Sequence, residues 1–166
     1  MRSGKTLRLF VFFVICAAAF VSLTSARLPA LVASHFGSTG IANGFMPHDV
    51  YVYCILAVVV GLPAATVVIT WLAIASPDAR INLPDKAYWL APERRAATVD
   101  YLRSGIVCFG IILVSFLCYM HWLVVLANDT QPPQLANSWF LGGLVAFFAV
   151  LLIWIKLFLG HFRQRD

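Results

Sequence analysis

The stretch LPALVASHFGSTGIANGFMPHD, residues 28–49, decides how this chain is read, because long apolar runs lie on both sides of it. It holds His35 and His48, three glycines, two prolines, an Asn-Gly pair and a single charged residue, Asp49. Turn formers and ionisable groups gathered between two greasy segments point to a small folded cap on one face of a membrane bundle. Within it, Leu28, Leu31 and Val32 fit one face of a short helix lying on the membrane. His35-Phe36-Gly37 and Gly44-Phe45-Met46 then flank a Gly-containing reversal, which fits a β-hairpin. Gly40 and Asn43-Gly44 are the expected positions of positive φ.

The flanking runs set the fold class. Residues 9–25, LFVFFVICAAAFVSLTS, and residues 50–76 carry no charge. Residues 105–127 and a core of 139–155 form the third and fourth runs. A helix needs about 20 apolar residues to cross a bilayer. The expected fold is therefore an all-α membrane protein, one domain of four transmembrane helices at about 9–26, 50–76, 105–127 and 138–160. The outer cap covers 27–49, a cytoplasmic interfacial loop 77–104, and a short outer loop 128–137. The first run also has the shape of a signal peptide, with Thr24-Ser25-Ala26 as a cleavage site; retention as a helix is the expectation. Pro63 cannot donate to the Val59 carbonyl, so a kink is expected in the second helix.

Composition agrees. Of 166 residues, 61% are hydrophobic and 11% charged, with mean hydropathy +0.87. Soluble domains carry about a quarter charged residues, so this surface is built for lipid. The net charge of +5 reads as cytoplasmic anchoring and not as affinity for nucleic acid. Arg27 is the only lysine or arginine outside the N-terminal segment, residues 77–103 and the C-terminal end. The positive-inside rule then places both termini in the cytoplasm. Cys16, Cys54, Cys108 and Cys118 all lie in apolar runs, so no disulfide framework is expected; Cys54 and Cys118 are the one pair at matching depth.

The long polar segment has internal order. Asn82-Leu83-Pro84-Asp85 is turn chemistry, and Pro92 with Glu93 suits a helix start. Trp89, Arg94 and Arg95 read as interfacial, with the aromatic at headgroup level and the arginines toward lipid phosphates. Asn128-Asp129-Thr130 matches a glycosylation acceptor but abuts the membrane and is set aside.

The pattern LP-x2-V-x2-H-F-G-x2-G-x2-N-G, carried by Leu28, Pro29, Val32, His35, Phe36, Gly40, Asn43 and Gly44, resembles the first outer loop of a bacterial membrane family of unknown function. The same loop opens the Sdp-type toxin-immunity and signal-transduction proteins. INLPDKAYWLAPERR also resembles shorter members of that family. The resemblance implies a bacterial inner-membrane protein and no known chemistry; the immunity proteins are longer, with a second multi-helix half.

Several residues are candidates for binding. His35, Phe36, Asn43, His48 and Asp49 lie in the cap. His121 sits about 9 Å below the outer end of the third helix, and an ionisable group at such depth is a functional candidate. His35, His48 and His121, with Asp49, are also candidate zinc or copper ligands. The alternative is structural: His35 pinning the hairpin, His48 and Asp49 capping the second helix, His121 at the interface. No serine-hydrolase motif, phosphate loop or HExxH is present, and the helices lack paired carboxylates. The expectation is a non-enzymatic receptor, sensor or immunity-like protein without a cofactor, in contact with the lipid bilayer and with an envelope peptide or protein. The other reading is an accessory subunit that stabilises a membrane-protein partner through small-residue patches such as Gly142-Gly143.

Overall fold

The computed structural model describes residues 2–76 and 81–163. Asp78, Arg80 and Arg165, assigned above to the cytoplasmic side, lie outside the described residues, as does the side chain of Arg2. The element order is α1 (Arg2–Ser25), β1 (Leu31–Phe36), β2 (Ala42–Pro47), α2 (His48–Leu56), a π-turn (Ala57–Gly61), α3 (Leu62–Ala75), α4 (Lys86–Trp89), α5 (Pro92–Asn128), α6 (Asn137–Gly160) and a closing 3₁₀ turn (His161–Arg163). Among these residues four helical segments are long and apolar enough to cross a membrane: Ser3–Ser25, His48–Ile74, Pro92–Asn128 and Asn137–Arg163.

The rod at the centre is α5, against which α1, α3 and α6 all pack. Its 37 residues reach about 55 Å at 1.5 Å per residue, against a hydrocarbon core of about 30 Å. Its charged residues, Glu93, Arg94, Arg95, Asp100 and Arg103, all lie in its N-terminal third. The expected boundary between a polar loop ending at residue 104 and a helix starting at 105 therefore does not exist: Arg103, Ser104 and Gly105 are interior positions of one continuous helix. Pro92 takes the first turn, where its missing N–H is not needed.

The core is a seam between α1, the π-turn, α3 and α5. Phe10, Ala17, Val21, Val59, Val67, Val107 and Val114 are all buried there. Small residues set the spacing. A Cβ on Gly110 would come within 2.5 Å of Val67 and 2.8 Å of Phe10. The fourth helix, α6, sits outside this seam and leans on α5. Tyr119 Oη donates to the Trp139 carbonyl (2.7 Å) and Tyr101 Oη to the Phe158 carbonyl (3.1 Å), one near each end of α6. Between them Phe116 and Phe147 stack at 4.2 Å.

A π-turn stands just ahead of Pro63, where a kink is expected. The Leu62 N–H donates to the Ala57 carbonyl five residues back, so the helix widens by one residue just ahead of Pro63. A π-turn of this kind absorbs an extra residue without breaking the helix. The cap departs from expectation. No helix forms between residues 28 and 47; residues 31–36 form a strand, because they pair antiparallel with 42–47. The hairpin is present, the short helix is not.

One end of the bundle carries the hairpin and the 129–136 loop. The opposite end carries the start of α1, the 81–91 connector and the end of α6. At that far end Ser3 bonds Asp100, through its N–H (3.2 Å) and its hydroxyl.

Candidate functional site

The hairpin is built from local chemistry and then fastened from afar. Its turn closes through Gly40 N–H to the Gly37 carbonyl and Gly37 N–H to the Ile41 carbonyl, both 2.9 Å. Gly40 has φ +82°, as expected. Asn43-Gly44 does not form the turn. Both lie in β2, and Gly44 faces His35 across the strands, where a Cβ would come within 2.7 Å of the His35 Cβ. Glycine is needed there for close approach and not for positive φ. The register shifts between Ala33 and His35, leaving Ser34 as an extra residue on β1.

The 129–136 loop and its flanking residues lock this hairpin down. Ala42 N–H donates to the Pro133 carbonyl (3.1 Å), and Leu135 N–H to the Gly40 carbonyl (2.8 Å). Asn137 Nδ2 donates to the Ser38 carbonyl (2.9 Å). At the other end of β1, Asn128 grips Ala33 twice: its Oδ1 accepts from the Ala33 N–H (2.9 Å), and its Nδ2 donates to the Ala33 carbonyl (3.0 Å). The same Nδ2 also reaches the Val124 carbonyl at 2.9 Å. The side-chain amide thus acts as one residue of a third strand along the β1 edge. Arg27, at the cap end of the bundle, faces Asp129 at 3.6 Å; both are exposed, so this pair contributes at most about 1 kcal/mol.

Under the cap lies a buried polar chain. His121 is 0% exposed. Its Nδ1 is 2.9 Å from Tyr51 Oη and its Nε2 is 2.8 Å from Thr24 Oγ1. Thr24 has one hydroxyl proton, directed at the Phe20 carbonyl at 2.6 Å. It must therefore accept from His121, which fixes Nε2–H as the donor and Nδ1 as the acceptor for Tyr51. The order is Tyr51 to His121 to Thr24 to Phe20, joining α2, α5 and α1. Tyr51 stacks on the imidazole (5.9 Å, 28°), and Phe20 meets it edge-on (6.0 Å).

The other candidates are dispersed. His48 Nε2 donates to the Ser25 carbonyl (3.0 Å), and its Nδ1 faces Asp49 Oδ1 (3.1 Å). Neither side chain caps α2 by a hydrogen bond, although Asp49 lies in its first turn. His35 and Asn43 are exposed on the hairpin, and Phe36 is half-buried. His48 and His121 therefore answer to different partners, and the His35 ring has no hydrogen-bonding partner among the described residues. Among the described residues no group of three or more His, Cys, Asp or Glu side chains is placed to hold a metal. Cys54 and Cys118 are both free thiols.

His35 lies on a recess of about 400 Å³ beneath residues 34–38. Its floor is Met120 and Val124 from α5 and Phe140 and Leu141 from α6; Leu135 and Asn137 close one side.

No family model, curated protein or solved structure matches the chain.

The far end is stitched by aromatics and arginines. Trp89 does not simply meet lipid. It packs on His161 (5.2 Å) and Phe162 (5.4 Å), and Tyr101 stacks on His161 at 3.9 Å. Arg94 lies over the Tyr88 ring at 4.1 Å. Arg95 donates to the Ser76 carbonyl just past the end of α3 (3.1 Å), where a cation meets the negative end of that helix. Arg103 lies over Trp71 at 4.8 Å. These arginines hold α3 and the connector to α5.

Sequence reading did not single out Asn128 as a clamp, Asn137 as a latch, or Thr24 and Tyr51 as the partners of His121. The one available signal was Asn128-Asp129-Thr130, which matches a glycosylation acceptor and was set aside because it abuts the membrane. An amide already committed to Ala33 and Val124 has no such role in this fold.

Proposed function

We propose that this chain is a non-enzymatic receptor, sensor or immunity-like binding protein of a bacterial inner membrane. Its cap would face the envelope, with both termini in the cytoplasm. One observation carries the reading: a hairpin fastened at Ala33, Ser38 and Gly40 arches over a preformed recess and presents His35, whose ring has no hydrogen-bonding partner among the described residues. A rigid cap with an uncommitted imidazole is suited to recognition, since little ordering is required when a ligand arrives. Charge supports the orientation: among the described residues Lys5, Arg8, Lys86, Arg94, Arg95, Arg103 and Arg163 lie toward the far end, and Arg27 alone lies at the cap. The resemblance of the cap motif to the first outer loop of Sdp-type proteins points the same way.

The other reading, an accessory subunit, has its own support. No residue of α6's most apolar stretch is buried, and a Cβ on Gly142 would meet nothing within 4 Å. That helix face is open to a partner helix. Photocrosslinking residues placed in living cells at Phe45 on the cap and at Leu152 on α6 separate the two. The receptor reading expects adducts to an envelope ligand at Phe45 that disappear with His35→Ala. Adducts to a membrane protein at Leu152 alone would overturn it in favour of the subunit.

A further inference from the structure

We propose that the recess beneath residues 34–38 binds the acyl chain of a phospholipid from the leaflet at the cap end, with the headgroup held at its rim; this rests on the cap being the recognition surface and names what that surface takes. The argument begins with why the recess stays open. Asn128 holds β1 at Ala33, and Asn137 holds Ser38. Between these fastenings Ser34 is an extra residue on β1 and lines the recess. The backbone cannot collapse onto the void without losing those bonds. The space, about 400 Å³, falls in the range of small-ligand sites, about 300–1,000 Å³, and is too small for a helix or a folded domain.

Its chemistry is divided by depth. The floor is apolar, from Met120, Val124, Phe140 and Leu141. The rim is polar, with His35 and Ser38. Val124 is four residues from the end of α5, about 6 Å, and Phe140 three residues into α6, about 5 Å. That depth is where a lipid changes from chain to headgroup. No carboxylate lines the recess, and His35 is its only ionisable group. The rim is therefore complementary to a phosphate and would not hold a cationic head.

The test uses the full-length protein in vesicles of phosphatidylethanolamine and phosphatidylglycerol, doped with phosphatidylglycerol bearing a diazirine on one acyl chain. After illumination, adducts are mapped by mass spectrometry. The expected result is labelling at Met120, Val124 and Phe140 above that at Leu152 and Leu157, which face bulk lipid at 65% and 70% exposure. Met120→Trp fills the floor and should lower recess labelling to the level at Leu152, since the excluded chain loses its place in the recess. Labelling at Leu152 should not change. Ser34→Trp fills the space from above and serves where Met120→Trp fails to fold. Recess labelling no greater than at Leu152, or unchanged in a folded filling variant, overturns the proposal. Cap adducts to an envelope peptide in cells, without lipid labelling in vesicles, overturn the lipid class and leave recognition by the cap standing. Lipid labelling in vesicles without any cap adduct in cells does the reverse.

Discussion

Replacing His121 with Phe keeps a ring between Tyr51 and Phe20 and removes both hydrogen bonds. Thr24 loses little, because its proton already serves the Phe20 carbonyl at 2.6 Å. Tyr51, 5% exposed, is left with a hydroxyl proton and no acceptor. Interhelical hydrogen bonds in membranes average about 0.6 kcal/mol and reach about 1.7; an orphaned buried hydroxyl costs about 1–3 kcal/mol. His121→Phe should therefore destabilise the bundle by about 2 kcal/mol, or about 4–8 °C in Tm for a chain of this size. Tyr51→Phe alone leaves Nδ1 without its donor and should cost about 1 kcal/mol. The informative variant is the double one. With both changes no polar atom is orphaned, so it should be about 1 kcal/mol more stable than His121→Phe alone. Thermal unfolding in one detergent, followed by circular dichroism, measures all three. Losses that simply add, or a His121→Phe protein as stable as the parent, would refute the directional chain from Tyr51 to Thr24.

Three other outcomes are expected. Asn128→Asp replaces two donated bonds with a carboxylate facing the Ala33 and Val124 carbonyls, so amide exchange across residues 31–47 should accelerate by at least about tenfold, with α1 and α5 protected as before. Gly40→Ala combines a φ of +82° with a Cβ driven into the Leu135 carbonyl; it should cost about 1–2 kcal/mol and expose the hairpin to protease, whereas Gly142→Ala, with open space around it, should be near neutral. Single cysteines at Ser38 and Arg94 in a cysteine-free background should react with an impermeant thiol reagent from opposite sides of the membrane.

The apolar runs were legible because lipid allows little else: an uncharged stretch of this length has to close its own backbone bonds as a helix. The turn at Gly40 was legible for an equally local reason. The strand Leu31–Phe36 was legible only at its His35-Phe36 end; the Leu31-Val32 end has no pattern that separates a short helix from a strand, and pairing with 42–47 and the Asn128 clamp decide it. The clamp joins residues 95 apart in sequence, and no local rule reaches that far. The helix start at Pro92 was legible; its continuity with the third apolar run was not, because Arg94, Arg95 and Arg103 read as interfacial until their partners Tyr88, Ser76 and Trp71 are seen. His121 stood out by its depth, but its partners on α1 and α2 could not be named from spacing.

The fastenings of the hairpin also impose an order on biogenesis. The strands lie within the first fifty residues, whereas Asn128, Pro133, Leu135 and Asn137 leave the ribosome roughly ninety residues after the hairpin tip. At about 5–20 residues per second that is a wait of roughly 5–20 seconds, and α5, which ends at Asn128 and precedes the others in the chain, must be in place before the latch can close. A sealed cap therefore reports that the chain has been made and folded through α5, and a chain stalled before α5 would present an unlatched β-edge to whatever surveys unfinished proteins.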